Sequence, residues 1–216
     1  MNKLLLYGGI LLLLLPVGMK IWSGRLQREI IYTYEKEVEA MEDTKLKECL
    51  EKAYQYNKEL YLTGCFDEVA YEMQLNLFGN GIMGYLEIPK IDLKLPIYHG
   101  TEEEVLTNGI GHLKESSLPI GGVNFHSILT GHRGLPSSQL FTRLDELKVE
   151  DEFYITICGK KFEFSVIEIQ VIRPVEVDVL SVEPGKEWVS LVTCTPYGIN
   201  THRLVVTGEL IKEGDE

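Results

Sequence analysis

From Gly84 onward, apolar residues recur at every second position rather than every third or fourth. Leu86, Ile88, Ile91, Leu93, Leu95 and Ile97 mostly alternate with polar residues, broken at Pro89 and Pro96. Alternation puts one side of an extended chain into a core and the other toward water, and proline cannot donate to a ladder, so two short strands are expected across residues 84–98. By the same rule residues 109–113, 127–131, 152–157, 161–172, 188–193 and 203–210 read as strands. Gly159-Lys160 suits a tight turn joining two of them. Only brief helices fit between, near residues 102–107 and 139–147. Eight short strands with short helices predict a mostly β fold in the form of a closed or nearly closed barrel, because closure removes exposed edges.

The chain before this region has a different pattern. Residues 4–19 are almost wholly apolar, with Gly8, Gly9 and Pro16 inside the run, which reaches Trp22 if Lys20 extends its ammonium to the interface. That gives about 19 residues, enough to span a bilayer. A cleaved signal peptide is the alternative reading, but the small-x-small pattern around Pro16, Val17 and Gly18 is poor. Residues 1–22 are therefore expected as a membrane anchor. Flanking charge does not orient it, since Lys3 precedes the run while Lys20, Arg25 and Arg28 follow it. From 25 to 57, Ile30, Tyr34, Val38, Met41, Leu46, Leu50, Ala53 and Tyr54 fall at helical spacing, which predicts a stalk helix. Residues 57–76 are less regular and complete a stalk segment, 23–76. The globular body is expected at 77–212, with 213–216 a polar tail.

A net charge of −12 and the lack of any Lys/Arg block argue against a nucleic-acid partner. The four cysteines, Cys49, Cys65, Cys158 and Cys194, form no C-x-x-C pair, which disfavours a zinc ribbon or a thioredoxin-type site. An even count in an exported chain is compatible with two disulfides, yet if Cys194 must stay free the other three cannot all pair. Cys158, at the end of an apolar strand, reads as a small buried hydrophobe.

Two segments carry candidate chemistry. Leu129-Thr130-Gly131-His132-Arg133-Gly134 ends a strand in a histidine flanked by glycines. Thr193-Cys194-Thr195-Pro196-Tyr197-Gly198 ends another in a cysteine, and Thr201-His202-Arg203 opens the next. A strand-turn-strand of this length places Cys194 and Arg203 on adjacent antiparallel strands. A free thiol has a pKa of about 8.5 and needs a nearby base or cation to act as a nucleophile. His132 can supply that, and the forked guanidinium of Arg203 suits the negative charge that grows on a carbonyl oxygen during acyl transfer. Each residue alone is more often structural than catalytic. The papain and caspase local signatures are both absent, and a metal held by His126, His132 and Cys194 is disfavoured by uncertain facing.

The stretch from Leu191 to Arg203 closely resembles the catalytic strand pair of class C, pilin-polymerising sortases. Residues 129–136 resemble the histidine motif of that family, and MGYLEIPKIDLKLPIYHGT (83–101) resembles its first two strands. The resemblance, which runs over roughly 76–210, implies a sortase β-barrel on the outer face of a Gram-positive membrane. It implies a cysteine transpeptidase that cleaves an LPXTG-like sorting signal after its Thr, holds the acyl group on Cys194 and passes it to an amine, a pilin lysine in pilus-forming members. The alternatives are attachment of surface proteins to a cell-wall amine, or a non-catalytic pilus-assembly module. Carried over, the catalytic residues are His132, Cys194 and Arg203, with no cofactor. Thr193 and Thr201 are expected to line the substrate groove, while His99, His112, His126 and His202 are structural or peripheral. Class C enzymes usually carry an Asp-Pro-aromatic lid before the first strand. Nothing here matches it, and Cys65-Phe66-Asp67 is the nearest lid candidate.

Overall fold

A computed structural model describes residues 3–135 and 138–215, with side chains described for Tyr7 and for residues 14–214 of these. Helix α1 (Lys3–Glu39) carries Pro16 inside it and is followed by α2 (Asp43–Thr63) and α3 (Glu68–Met73). The strands are β1 (Ile82–Ile88), β2 (Leu93–His99), β3 (Ile110–His112), β4 (Phe125–Thr130), β5 (Glu152–Ile157), β6 (Lys160–Ile172), β7 (Glu187–Thr195) and β8 (His202–Asp215). Helix α4 (Glu103–Asn108) links β2 to β3, and short 3-10 helices lie at Phe141–Glu146 and Val177–Leu180. All eight strands close into a mixed barrel in the order β1-β2-β3-β4-β7-β8-β6-β5. β2–β3 and β4–β7 are its parallel pairs.

The inward residues of the alternating pattern make the core. Leu86, Ile97, Leu129, Phe153, Phe164, Leu191 and Val206 are wholly buried, and the rings of Phe153 and Phe164 stack at 5.2 Å. Burying a side chain of this size contributes about 1.5–3 kcal/mol, which is why period two decides the fold. β8 continues past the expected end of the barrel. The polar stretch 213–215 pairs with Lys160, Lys161 and Phe162 of β6, and Lys160 Nζ meets Glu213 at 2.6 Å, so the expected tail is largely ladder.

The stalk is two helices rather than one. α1 lays Ile31, Tyr34 and Val38 against Ile82 and Tyr85, whereas α2 buries Ala53 and Asn57. Asn57 donates to the Leu118 carbonyl at 3.0 Å and accepts the Leu118 N–H at 2.7 Å. Each helix turns its own stripe to the barrel, and Glu42, extended at φ −70° and ψ 133°, makes the break without any Gly or Pro. Tertiary packing outweighs local propensity here. α2 ends at Gly64, φ 65°. The β5–β6 turn is Cys158-Gly159, one residue earlier than expected, with left-handed φ of 52° and 75° at both positions.

Among the described residues no helix is long and apolar enough to cross a membrane. The expected anchor, 1–22, lies partly outside the described residues.

Candidate active site

Cys194, near the end of β7, pairs directly with Arg203 on β8. Residues directly opposite in an antiparallel pair project to the same face, so the thiol and the guanidinium share one side of the sheet. Alternation along β7 sends Leu191 and Thr193 into the barrel and Val192 and Cys194 outward. Cys194 is half-buried and free.

β4 runs parallel to β7 with Thr130 opposite Val192, and the Gly131 N–H donates to the Val192 carbonyl at 3.1 Å. His132 follows two residues after Thr130, just past the end of β4, and the next residue, Arg133, donates to Thr195 Oγ1, which follows Cys194. The His132 carbonyl accepts the Phe141 N–H at 3.1 Å. Its Nε2 lies 3.3 Å from Glu103 Oε1 of α4, an ion-pair distance without hydrogen-bond alignment. Arg203 Nη1 donates to the carbonyls of Asn200 at 3.3 Å and His202 at 3.1 Å, which hold the guanidinium beside the β7–β8 loop.

An apolar cluster adjoins the site. Ile128, Ile172, Val192 and Val205 are buried together on the outer face, packed by Leu113, Val179 and Leu180. Val192 and Val205 are themselves paired, two residues along from Cys194 and Arg203 on each strand. Val175, Val177, Tyr197 and Ile199, from the loops on either side of β7, stand exposed. Cys194 and Arg203 thus share the outer face of the β7–β8 pair, next to this packed apolar cluster.

Of the two residues expected along a substrate groove, Thr201 is exposed in the β7–β8 loop, its Oγ1 3.0 Å from His202 Nδ1. Thr193 is a correction. It is 1% exposed and donates to the Gly131 carbonyl at 2.7 Å, so it faces inward and braces the strand that delivers His132. The lid candidates are not brought to the trio. Cys65 is exposed with Sγ 3.7 Å from the Thr63 carbonyl, Phe66 rests 5.8 Å from the Tyr71 ring, and Asp67 caps α3 by accepting the Ala70 N–H at 3.0 Å. No hydrogen bond, ion pair or ring contact among the described residues joins them to Cys194, His132 or Arg203.

Three supports were missed. Arg133, its side chain 9% exposed, donates to Thr195 Oγ1 at 2.7 Å and to Asp145 Oδ2 at 2.6 Å, bolting the segment after His132 to the residue after Cys194. Tyr197 covers Gly134, whose φ is 87° and where a Cβ would lie 2.1 Å from the ring. Gln27 of α1 donates to the Asn108 carbonyl and to Ser138 Oγ, both at 3.1 Å, tying the stalk to the His132 loop. Arg133 and Gly134 lie inside the histidine motif and were legible as neighbours; Gln27 gave no signal.

The other histidines are held by structure. His112 is wholly buried, 2.8 Å from the Ser117 carbonyl and 3.0 Å from Tyr71 Oη, and burial pushes its pKa down to about 4. His126 sits between the Ser181 carbonyl and Ser190 Oγ at 2.9 and 2.8 Å, and burial lowers its pKa. His99 lies between the Gly81 and Gln74 carbonyls at 3.0 and 2.7 Å.

The family model for the sortase domain matches residues 86–211, more than half of the chain. Sortase A of Streptococcus agalactiae serotype III (strain NEM316) is 34% identical over 137 residues, covering 62% of this chain and 55% of that protein. Sortase D of Bacillus subtilis (strain 168) is 30% identical, covering 59% of this chain and 63% of that protein. The chain thus matches a little over half the length of these curated relatives. Among solved structures, sortase C1 from Streptococcus agalactiae is 44% identical, with a TM-score of 0.82, over 85% of this chain and 98% of that one. Sortase C of Clostridium perfringens, solved with the C-terminal cell wall sorting motif, is 38% identical, with a TM-score of 0.78, over 85% of this chain and 98% of that one. A closed mixed barrel carrying Cys194 and Arg203 on adjoining strands with His132 just beyond the end of β4, and these matches in sequence and structure, lead to one conclusion: this chain belongs to the sortase family.

Proposed function

We propose that this protein is a cysteine transpeptidase that cleaves an LPXTG-like sorting signal after its threonine and joins the new carboxyl end to an amine, a pilin lysine in pilus assembly. The direct pairing of Cys194 with Arg203 carries this reading, since it sets a nucleophile and an oxyanion partner on one face. The Cys194 sulfur attacks the threonine carbonyl carbon, and the guanidinium of Arg203 donates to the oxygen as it gains charge. His132 protonates the departing amine, leaving a thioester on Cys194. The incoming amine gives its proton to His132 as it attacks, and Cys194 leaves as the thiolate. Peptide leucine and proline side chains suit the exposed Val175, Val177, Tyr197 and Ile199 on either side of β7.

The exposed apolar side chains of Tyr197 and Ile199 in the β7–β8 loop support a peptide rather than a small polar substrate. The likeness to a sortase C solved with a sorting motif, and to a Streptococcus pneumoniae sortase C described for pilin substrate specificity, supports the signal and the pilin acceptor. On this reading His132, Cys194 and Arg203 act on substrate and Thr201 borders it. Residues 1–22 anchor the body on the extracytoplasmic side of a Gram-positive membrane.

The test is product analysis with an LPXTG-type peptide, with and without a lysine-bearing pilin peptide. Addition of the lysine peptide should divert product from free acid to an isopeptide-linked amide. A product that stays free acid at every amine concentration would make the protein a hydrolase instead. Transfer to a cell-wall peptide amine in preference to pilin lysine would overturn the acceptor alone.

A further inference from the structure

The other end of the barrel holds a second sulfur site. Cys158, the first residue of the β5–β6 turn, points its S–H at Cys49 of α2, with the two sulfurs 3.4 Å apart and both thiols free. Cys158 is buried and Cys49 half-buried. The turn is held for this contact. Cys158 takes a left-handed φ of 52°, unusual for a residue with a Cβ, and its N–H donates at 3.0 Å to Tyr34 Oη, which in turn donates to the Met83 carbonyl at 3.0 Å. Three elements far apart in sequence, α1, α2 and the hairpin, thus converge on one pair of sulfurs.

We propose that Cys49 and Cys158 are a built modification site, a dithiol that is oxidised to a structural disulfide by thiol–disulfide exchange with an external disulfide compound. The roles of the two sulfurs differ. The S–H held by Cys158 on Cys49 pulls the Cys49 thiol below its ordinary value, while that same contact and burial push Cys158 up. Cys49 is also the less buried of the two, so it is the sulfur that an external disulfide meets first and the one that attacks. Its sulfur displaces one half of the external disulfide, which leaves as a thiol on taking a proton. The Cys158 sulfur then displaces the second half from Cys49 and releases its own proton. The balance is two cysteine thiols oxidised to one disulfide and one external disulfide reduced to two thiols. An open cleft of about 1050 Å³ between the stalk helices and the barrel is lined by Cys158 together with Tyr34, Leu46, Leu50, Lys160 and Phe162, while the half-buried Cys49 stands outside that lining and meets solvent on its own side.

The site is separate from the catalytic thiol. Along the β6–β8 ladder Lys160 pairs with Asp215 and Ile172 with Arg203, so the Cys158 turn and Arg203 lie at opposite ends. Cys65 is exposed and its sulfur contacts only its own segment, which leaves Cys49 and Cys158 as the matched pair. The inference stands whether or not Cys194 is a transpeptidase nucleophile. The bond would close a span of 109 residues and fasten α2 to the barrel. A cross-link over a loop of about that length should raise the Tm of a chain this size by about 10 °C.

The test uses the full chain, reduced and then exposed to oxidised glutathione, alkylated and mapped by mass spectrometry. The expected result is a peptide pair joined through Cys49 and Cys158, with Cys65 and Cys194 still open to alkylation or glutathione, and a Tm that falls on adding reductant. Four unlinked thiols, glutathione retained on Cys49 without cross-linking, or a bond through Cys65 or Cys194 would each overturn the proposal. Cys49→Ser should leave Cys158 reduced and abolish the dependence of Tm on reductant. An unchanged dependence in that variant would also overturn it.

Discussion

Cys194 and Arg203 are direct partners across the β7–β8 ladder, so register rather than a flexible loop puts both residues on one face. A slip of one residue would turn one of them into the core. Arg203→Lys keeps the charge but loses the planar fork, and kcat should fall about tenfold to a hundredfold. Steady-state kinetics with an LPXTG-type peptide checks this; an unchanged kcat would show that charge alone suffices.

Thr193 acts from beneath the site. Its Oγ1 holds the Gly131 carbonyl at 2.7 Å, one residue before His132. Thr193→Val, close in shape, leaves that buried carbonyl short of a donor, at a cost of about 1–3 kcal/mol. Urea unfolding should show that loss, and kcat should fall about tenfold with little change in KM. Equal stability and kcat would remove its bracing role.

Much of this was legible in the sequence because alternation is a strong signal in strands that are buried on one side. The eight strand positions followed from it, as did the adjacency of Cys194 and Arg203. The same alternation, applied to Leu191, Val192, Thr193 and Cys194, already sends Thr193 inward, and its placement in the groove came from proximity to Cys194 alone. The break between α1 and α2 could not be read, because no Gly or Pro marks it and only the facing surfaces of the barrel require it. The turn at Cys158-Gly159 was displaced by one residue because cysteine is not expected at positive φ; contacts from Cys49 and Tyr34 hold it there. Glu103 of α4 and Arg133 and Tyr197 of the loops meet around the site only in three dimensions.

Gly134 has a positive φ of 87° and no room for a Cβ beneath Tyr197. Gly134→Ala should strain the His132 loop, push Tyr197 away and lower kcat/KM by about tenfold, with a stability loss of about 1–3 kcal/mol. Tyr197→Ala in the same background relieves the clash but not the φ, so it should restore stability only in part. Full activity in Gly134→Ala would show that this loop contact does not matter to turnover.

His112 makes stability fall in acid. Its pKa is lowered by burial to about 4 in the folded chain, against 6.5 when free. Above pH 6.5 it is neutral in both states and its contribution is complete. Between 6.5 and 4 the unfolded chain binds a proton that the folded chain refuses, so stability is lost at up to about 1.4 kcal/mol per pH unit. His112→Gln keeps an N–H donor for Ser117 without titrating. Urea unfolding at pH 7.5 and 4.5 should show the wild-type advantage over this variant shrinking by about 2–3 kcal/mol. A difference that does not vary with pH would mean that His112 does not titrate as its burial requires.

The most direct measurement is intact-protein mass spectrometry after mixing the full chain with an LPXTG-type peptide, followed by peptide mapping. The expected result is an acyl adduct ending at the signal's threonine, carried as a thioester on Cys194, released by an added amine and absent from Cys194→Ala. Turnover near the wild-type level in Cys194→Ala, or an adduct that maps to Cys49, Cys65 or Cys158, would contradict the assignment of Cys194 as the nucleophile.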